Sequence, residues 1–592
     1  MNDFINYLNS TNNVGGNSTG SLAETQVKSS YYDSVKVDRK LGAYITDCVE
    51  SGNHKAFILT GHAGDGKTSI LVQVLKSLGR LQDREGLFVQ KEYDDFLYYK
   101  DMSEIAAEKQ VEALKAAVTA PKRGKTSLLI SNTGPLLKAF EALMRAKKES
   151  SGEQFSDNDR MELQSRLFTQ LDINEDESLQ IEGYEFVLVN IARVDNVPFA
   201  VRVLKKILVP QLWAPCTTCS YANRCPIKNN YDLVTTQFDR VAQFIENYYR
   251  FLYENDKRMT IRQMVGQISY ALTGNLSCND IESRQLKEPF FVYNFANLFF
   301  GYHGLKKATD TAQIKGIEQL QNLELDRIAL DVDYSLFVSN DYSCFMPKIQ
   351  KELTALTQRY RKHYQITDEE QLLDRKKHEE ELRLREAIRR FYLLFSLCES
   401  DADIDRIMNQ IFGESYADYR KLISSKQSNI MLRNMQGMIF DALYIKNTGY
   451  LPEGKTVLPL TLRREDDVFQ NVMIVLGEVS KYDLKVIQER VTKQFEDVDN
   501  KFDLYLKLGE KNFKLSLPMI TYFNNLIDGA ISSNNNPALT HGIAQLDALL
   551  LEQFGEDAPE SEEDCELTVI INTAKGQEVE HFAFENNKLS IQ

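Results

Sequence analysis

No stretch of the sequence approaches the roughly 18 consecutive apolar residues that a membrane-spanning helix needs, so no membrane association of that kind is expected. A basic excess is also missing: 70 lysines and arginines stand against 85 aspartates and glutamates, for a net charge of −15. A protein that coats DNA over a broad face carries the opposite balance, so any nucleic-acid contact is expected to be local, indirect or supplied by partners. Cysteine is sparse, eight in 592 residues, and three of the eight are clustered. That is no secreted disulfide framework, and it points to a reducing cytoplasm. The Asn-, Ser-, Gly- and Thr-rich segment 1–32 has no basic start followed by an apolar run. It is expected to be a flexible tail rather than a secretory signal. There is no PD-x-E/D-x-K run of the nuclease type, no clustering of the seven histidines, and no repeat of fixed period.

What is present describes a soluble, folded chain. Hydrophobic residues make up 43% and charged residues 26%, and the length suits two to four domains. From Val35 to Leu81 the pattern reads helix, strand, loop, helix, with a short apolar strand at Lys55–Thr60 and helical spacing of Ile70, Leu71, Val74, Leu75 and Leu78. Further strands are predicted at Phe96–Lys100, Leu128–Ser131 and Phe186–Asn190, separated by helices at Glu104–Val118 and Leu136–Lys147. Such alternation indicates a parallel α/β sheet. Helical patterning then runs from Tyr231 to Thr273 and, with a charged segment at Glu369–Arg390, from Pro289 to Asp441. The charges Glu380, Glu381, Arg383, Arg385, Glu386, Arg389 and Arg390 read as a solvated helix face, with a phosphate or acidic partner as the alternative. Past Val457 strands dominate. Phe502, Leu504, Leu506 and Leu508 alternate, Gly509–Asn512 supplies a turn, and Phe513, Leu515 and Leu517 alternate again, as in a hairpin. The acidic run Glu556–Glu566 reads as a solvated loop before a strand at Leu567–Ile571.

The most informative motif is Gly61-His62-Ala63-Gly64-Asp65-Gly66-Lys67-Thr68, which matches G-x-x-x-x-G-K-[ST] at every fixed position. A chance match in a chain of this length is expected about two times in a hundred. A triphosphate needs inward-pointing backbone N–H groups, and glycines remove the side chains that would obstruct them. The following helix offers free N–H groups and partial positive charge. Lys67 is expected to neutralise the β- and γ-phosphates, Thr68 to place its hydroxyl on Mg²⁺, and Ser69 to extend the cradle. ATP and Mg²⁺ are the expected ligands. The partner acid is less plain. Asp101, after Tyr98-Tyr99-Lys100, is the best candidate to hold Mg²⁺ or its waters, with a helix N-cap as its alternative role. Asn132, after Leu129-Ile130-Ser131, is the wrong residue type for that acid but suits orientation of the attacking water. Arg193 and Arg262 are candidates for the γ-phosphate, against an ordinary surface role.

Cys216-x2-Cys219-x5-Cys225 is followed at once by Pro226. Three thiolates so close suit a soft metal, and Cys278 is the candidate fourth ligand. Structural Zn²⁺ in a tetrahedron of thiolates is favoured; a [4Fe–4S] cluster, where a proline after the last cysteine of a run is common, and no metal at all are the alternatives. Cys48, Cys344, Cys398 and Cys565 are isolated and read as ordinary residues.

Four segments taken in order carry a resemblance: Gly64-Asp65-Gly66-Lys67-Thr68, Ile130-Ser131-Asn132-Thr133-Gly134-Pro135-Leu136, Cys219 through Cys225-Pro226-Ile227-Lys228-Asn229-Asn230-Tyr231, and Thr260-Ile261-Arg262. Over roughly its first half the chain resembles the DptF family, the ATPase component of phosphorothioation-dependent DNA restriction, and related bacterial anti-phage ATPases. The resemblance implies an AAA+-like P-loop ATPase core at 33–230 with a cysteine loop at 213–230 and a helical lid at 231–288; beyond it, the patterning alone gives a helical domain at 289–450 and an α+β, strand-rich C-terminal domain at 451–592. The same resemblance implies Lys67 and Thr68 as nucleotide-binding residues, Asn132 as a polar strand-end residue and Arg262 as a lid arginine. It also implies a cytoplasmic defence ATPase that hydrolyses ATP, works with other restriction subunits, meets DNA through the complex and self-associates. The sequence departs from typical AAA+ enzymes in lacking two adjacent acids after an apolar strand, which bears on turnover more than on binding. A nucleotide-gated signalling or assembly switch with slow turnover is therefore the second reading, and a scaffold with a structural P-loop the third.

Overall fold

The computed structural model describes residues 1–12, 29–82, 85–174, 176–311, 313–364, 375–398, 400–462, 471–530, 536–555, 566–573, 576–585 and 588–591. These divide into two compact units, 1–411 with 492–499, and 412–491 with 500–592.

The first unit is built on a six-stranded sheet. Its strands are β1 (Ala56–Thr60), β2 (Gln90–Glu92), β3 (Phe96–Tyr99), β4 (Thr126–Ile130), β5 (Leu179–Ile181) and β6 (Tyr184–Asn190), in the order β2-β3-β4-β1-β6-β5. The four central strands are parallel, with Phe57 beside Leu128 on one side and Val187 on the other, while β2 and β5 close the edges antiparallel. Every residue of β1 and β4 is buried, as the uninterrupted apolar runs require of a sheet covered on both faces. Phe57 and Leu59 face the helices α1 (Lys40–Glu50) and α2 (Lys67–Ser77). Ala56 and Ile58 face α3 (Ala107–Thr119), α4 (Thr133–Ser150) and α5 (Asp157–Ile173). The helices that follow the neighbouring strands β1 and β4 thus lie on opposite faces of the sheet. That arrangement opens a crevice at the carboxyl ends of β1 and β4, the place where open α/β sheets bind ligands.

Helical structure completes the unit: α6 (Pro198–Ile207), α7 (Pro210–Thr217), α8 (Pro226–Thr236), α9 (Phe238–Glu254), α10 (Ile261–Thr273), α11 (Cys278–Ser283) and further helices up to residue 411. The expected flexible tail is corrected for its first part. Asp3–Asn12 is a helix that buries Phe4, Ile5 and Leu8, and Phe4 packs edge-on against the buried Trp213. Its apolar residues recur at helical spacing, which the Asn- and Ser-rich composition obscures. Residues 13–28 lie outside the described residues.

A second correction concerns the charged helix Arg375–Phe395. Arg390 is fully buried, with Nη1 on Asp326 Oδ2 at 2.6 Å, Nε on Asn297 Oδ1 at 3.0 Å and Nη2 on the Gly304 carbonyl at 3.0 Å. Arg389 pairs with Asp333 at 2.6 Å. The solvated-face reading holds for Arg383 but fails for this last turn, because partners distant in sequence satisfy the guanidinium groups. Residues 369–374 of that segment are outside the described residues.

The second unit is α+β. Its strands are β7 (Val457–Leu462), β8 (Val472–Ser480), β9 (Leu484–Arg490), β10 (Phe502–Leu508), β11 (Lys511–Lys514), β12 (Glu566–Thr573), β13 (Gly576–Glu585) and β14 (Lys588–Ile591). They form an antiparallel sheet β14-β13-β12-β8-β7 and a three-stranded meander β9-β10-β11. The hairpin legible at Phe502–Leu517 is β10–β11, with Leu506 opposite Phe513 and Gly509 at positive φ in the turn. Residues 556–565, which contain most of the acidic run, are outside the described residues. No helix among the described residues is long and apolar enough to cross a membrane.

Candidate functional site

Residues 61–66 join the end of β1 to the start of α2. Three glycines in this loop have positive φ, Gly61 at 144°, Gly64 at 92° and Gly66 at 87°, and Gly66 is the left-handed N-cap of α2. At Gly64 a Cβ would stand 3.1 Å from Thr260 Oγ1 and 3.3 Å from Arg262 Cβ. Gly64→Ala is accordingly expected to cost about 1–2 kcal/mol in backbone strain alone. It should also weaken triphosphate binding, which a titration with a fluorescent nucleotide would register.

Lys67 is buried in the first turn of α2. Its Nζ donates to the carbonyls of Gly61 at 2.6 Å and His62 at 3.2 Å and reaches Asn132 Oδ1 at 3.5 Å. Burial lowers its pKa, against the opposing pull of Asp65 and Asp101. Asn132 ends β4 directly beside β1. It occupies the N-cap position of α4 without using its side chain as the cap. The amide is therefore turned toward Lys67 rather than spent on its own helix. Asp101 stands one strand further out, after β3. Its Oδ1 accepts from the backbone N–H and the hydroxyl of Ser103, both at 2.8 Å, so it caps the short 3-10 turn Met102–Glu104. It also lines the same cavity as Lys67, Thr68 and Asn132.

The helix α10 closes the site from the other side. Thr260 and Gln263 form a reciprocal capping box at its start, legible in the sequence as T-x-x-Q before an apolar run. The Arg262 N–H donates to the Gly64 carbonyl at 3.4 Å, which sets this end of the helix on the glycine loop. The Arg262 guanidinium lines the cavity, has no carboxylate partner among the described residues, and has its pKa lowered by burial. Arg193 is placed elsewhere: it pairs with Asp172 at 2.7 Å on the surface and does not line the cavity.

The cavity itself has a volume of about 390 Å³. One end is the glycine loop from His62 to Ser69, and Tyr32, Val35, Val37, Phe199, Val203 and Ile207 form an apolar wall. A polar cradle joined to an apolar slot of this size is the usual form of a small-molecule site.

Arg258 and Arg39 support the loop with no signal in the sequence, and they do so through Asp65, which the sequence places in the cradle itself. Asp65 is fully buried, accepts from the His62 N–H at 2.9 Å and pairs with Arg258 at 2.6 Å. Arg39, also buried, donates to the Asp65 carbonyl at 3.3 Å and to Asp497 Oδ2 at 3.0 Å and lies over the Phe199 ring. One Arg39 nitrogen, Nη2, is buried with no hydrogen-bond partner among the described residues. No local spacing offers a clue to the pairing of Arg39 with Asp497, which comes from 492–499, a segment between β9 and β10 that belongs to the first unit. Asp65 falls on a variable position of the motif, and Arg258 precedes a helix cap by two residues, so their pairing carries no local signal.

A second cavity, of about 450 Å³, collects the cysteines. Cys216 lies in the last turn of α7, Cys219 follows on the surface, Cys225 is the N-cap of α8 and Cys278 is the first residue of α11. All four line this cavity together with Asn2. The Asn2 backbone N–H donates to Cys278 Sγ at 3.4 Å and its Nδ2 to Cys216 Sγ at 3.3 Å. Burial pushes the Cys225 thiol up to about 11 and raises that of Cys216. Among the described residues no group of three or more His, Cys, Asp or Glu side chains is placed to hold a metal ion.

Comparison of the chain with family models, curated proteins and solved structures returned no match.

Proposed function

We propose that this chain is a P-loop ATPase with an AAA+-like core, acting as the ATP-hydrolysing component of a bacterial DNA-restriction and anti-phage defence system of the DptF type, together with partner subunits. The observation that carries the nucleotide reading is the convergence of Lys67, the positive-φ glycines, Asn132 and Arg262 on one crevice at the carboxyl ends of β1 and β4. Arg262 and Arg39 both line that cavity, and Arg39 Nη2 is buried with no hydrogen-bond partner among the described residues. A desolvated guanidinium with no carboxylate partner, as at Arg262, favours an anionic ligand. The triphosphate would lie on the loop, Thr68 would take Mg²⁺, and the nucleobase would enter the apolar slot beside Phe199. Arg262, brought by α10, would stabilise charge developing on the γ-phosphate. The restriction role rests on the sequence resemblance alone, and the acidic net charge suits a subunit that meets DNA through partners.

A slow nucleotide-gated switch is favoured by one specific observation. Asp101, the best candidate acid, is engaged as a cap by Ser103, and the nearer polar group is the amide of Asn132. Phosphate release from purified protein, with and without DNA, separates the readings. Rapid turnover supports the ATPase, and tight binding with negligible turnover supports the switch. Asn132→Ala is expected to lower hydrolysis by about 10²-fold while nucleotide affinity changes little, because a group that orients water acts in the transition state. An equal loss in affinity would assign Asn132 to binding instead. Co-purification from the native host tests the partner subunits.

A further inference from the structure

The cysteine cavity has no part in nucleotide chemistry, and its geometry bears on a different ligand. We propose that Cys216, Cys219, Cys225 and Cys278 hold a [4Fe–4S] cluster rather than a single zinc ion. A tetrahedral zinc site draws four sulfurs to about 2.3 Å from one point, so that they stand ~3.8 Å apart. Here four cysteines line a cavity of about 450 Å³, more space than one ion fills. A space of that size lined by four cysteines suits a polynuclear core.

The surroundings fit the same occupant. Asn2 directs two N–H groups at two different sulfurs, Cys278 and Cys216, from opposite ends of one residue. Hydrogen bonds of this kind tune cluster potentials. Cys225 begins the eleven-residue helix α8 and accepts from the Lys228 N–H at 3.5 Å, which sets the positive end of a helix dipole on a ligand of an anionic cluster. Pro226 follows it, as in the cysteine-proline ends of cluster-binding runs. The wall also includes Ile5, Ile227 and Ile281 beside the polar Thr218, Ser220, Lys228 and Glu282. Loading by transfer of a preassembled [4Fe–4S]²⁺ core from carrier thiolates balances without electron flow. Four iron–sulfur bonds form to the cysteines, four bonds to the carrier break, and the four cysteine protons pass to the carrier thiolates. The cluster would tie the start of the N-terminal helix, the α7–α8 connection and α11 to one another, a structural role with no open coordination position.

The test is anaerobic purification of the full chain, followed by iron, sulfide and zinc analysis and electron paramagnetic resonance after dithionite reduction. The expected result is about four iron and about four inorganic sulfide per chain, with a visible absorption band that bleaches on reduction. One zinc per chain without sulfide would overturn the proposal, as would failure to take up iron and sulfide on anaerobic reconstitution. Cys225→Ser should reduce iron to background, whereas Cys344→Ser, outside the cavity, should leave it unchanged. Should Cys225→Ser prove insoluble, Asn2→Ala serves instead. It should keep the iron but move the reduction potential to a more negative value, because a donor that stabilises the reduced cluster is lost. Bound iron with an unmoved potential would refute the assigned N–H···S contact.

Discussion

Lys67→Ala is expected to weaken triphosphate binding by about 100-fold, ~2.7 kcal/mol, and to reduce phosphate release to background. Its ammonium donates to the Gly61 and His62 carbonyls and reaches Asn132, contacts that it would exchange for phosphate oxygens. Burial lowers its pKa, and an anionic partner would oppose that shift. Lys67→Arg should not rescue, because the planar guanidinium cannot occupy the space of a compact ammonium among those carbonyls. Isothermal titration with ATP and Mg²⁺ reads the binding, and thermal unfolding without nucleotide confirms that the fold persists. Unchanged affinity in the alanine variant would remove the nucleotide reading and with it the ATPase proposal.

The second large effect is expected at Asp497. Its carboxylate is fully buried, pairs with the Arg39 guanidinium at 3.0 Å and accepts from the Lys40 N–H at 2.9 Å. Asp497→Ala leaves Arg39 buried without its carboxylate, an error that costs about 3–5 kcal/mol. Because the chain has two units, the loss is best read locally, by hydrogen exchange. The Lys40 amide and the first turn of α1 should lose protection, while amides of β12 and β13 should not. The paired change Arg39→Met with Asp497→Leu should recover most of the protection of the first turn of α1, though not that of the Lys40 amide, whose acceptor is gone, since no unpaired charge remains. A single variant with a loss below about 1 kcal/mol would mean that the pair is solvated as a surface bridge would be. The same variant should reduce nucleotide affinity, because Arg39 also holds the Asp65 carbonyl of the glycine loop.

The contrast between these two residues separates what is local from what is not. The glycine loop was legible because its chemistry demands residue types at fixed spacing along a few turns of chain: glycines where φ is positive, and a lysine at the start of the helix. The parallel strands were legible for a similar reason. Continuous apolar runs such as Phe57-Ile58-Leu59 and Leu128-Leu129-Ile130 have few other places to go than a sheet covered on both faces. The capping box at Thr260 and the β10–β11 hairpin are likewise written in neighbouring residues. The N-terminal helix was obscured because Phe4, Ile5 and Leu8 sit in an Asn-rich segment, and only their burial beside Trp213 separates helix from tail. The last turn of the charged helix Arg375–Phe395 was obscured because a buried arginine and a solvated one look alike until Asp326 is seen beside Arg390.

By itself, then, the sequence determined the motif at Gly61–Thr68, the alternation of strand and helix around it, and the clustering of Cys216, Cys219 and Cys225. These depend on spacing within short stretches, where backbone geometry couples residue type directly to structure. Only the tertiary structure decided that Asn132 rather than Asp101 stands next to Lys67, since that follows from β4 lying between β1 and β3. It alone decided that Arg258 and Arg39 brace the loop through Asp65, that Asp497 completes the set, and that Asn2 borders the cavity of the four cysteines. Burial strengthens a charge pair or a hydrogen bond to sulfur, but the partner is chosen by how elements pack, and packing joins residues hundreds of positions apart without leaving a pattern in either one's neighbours.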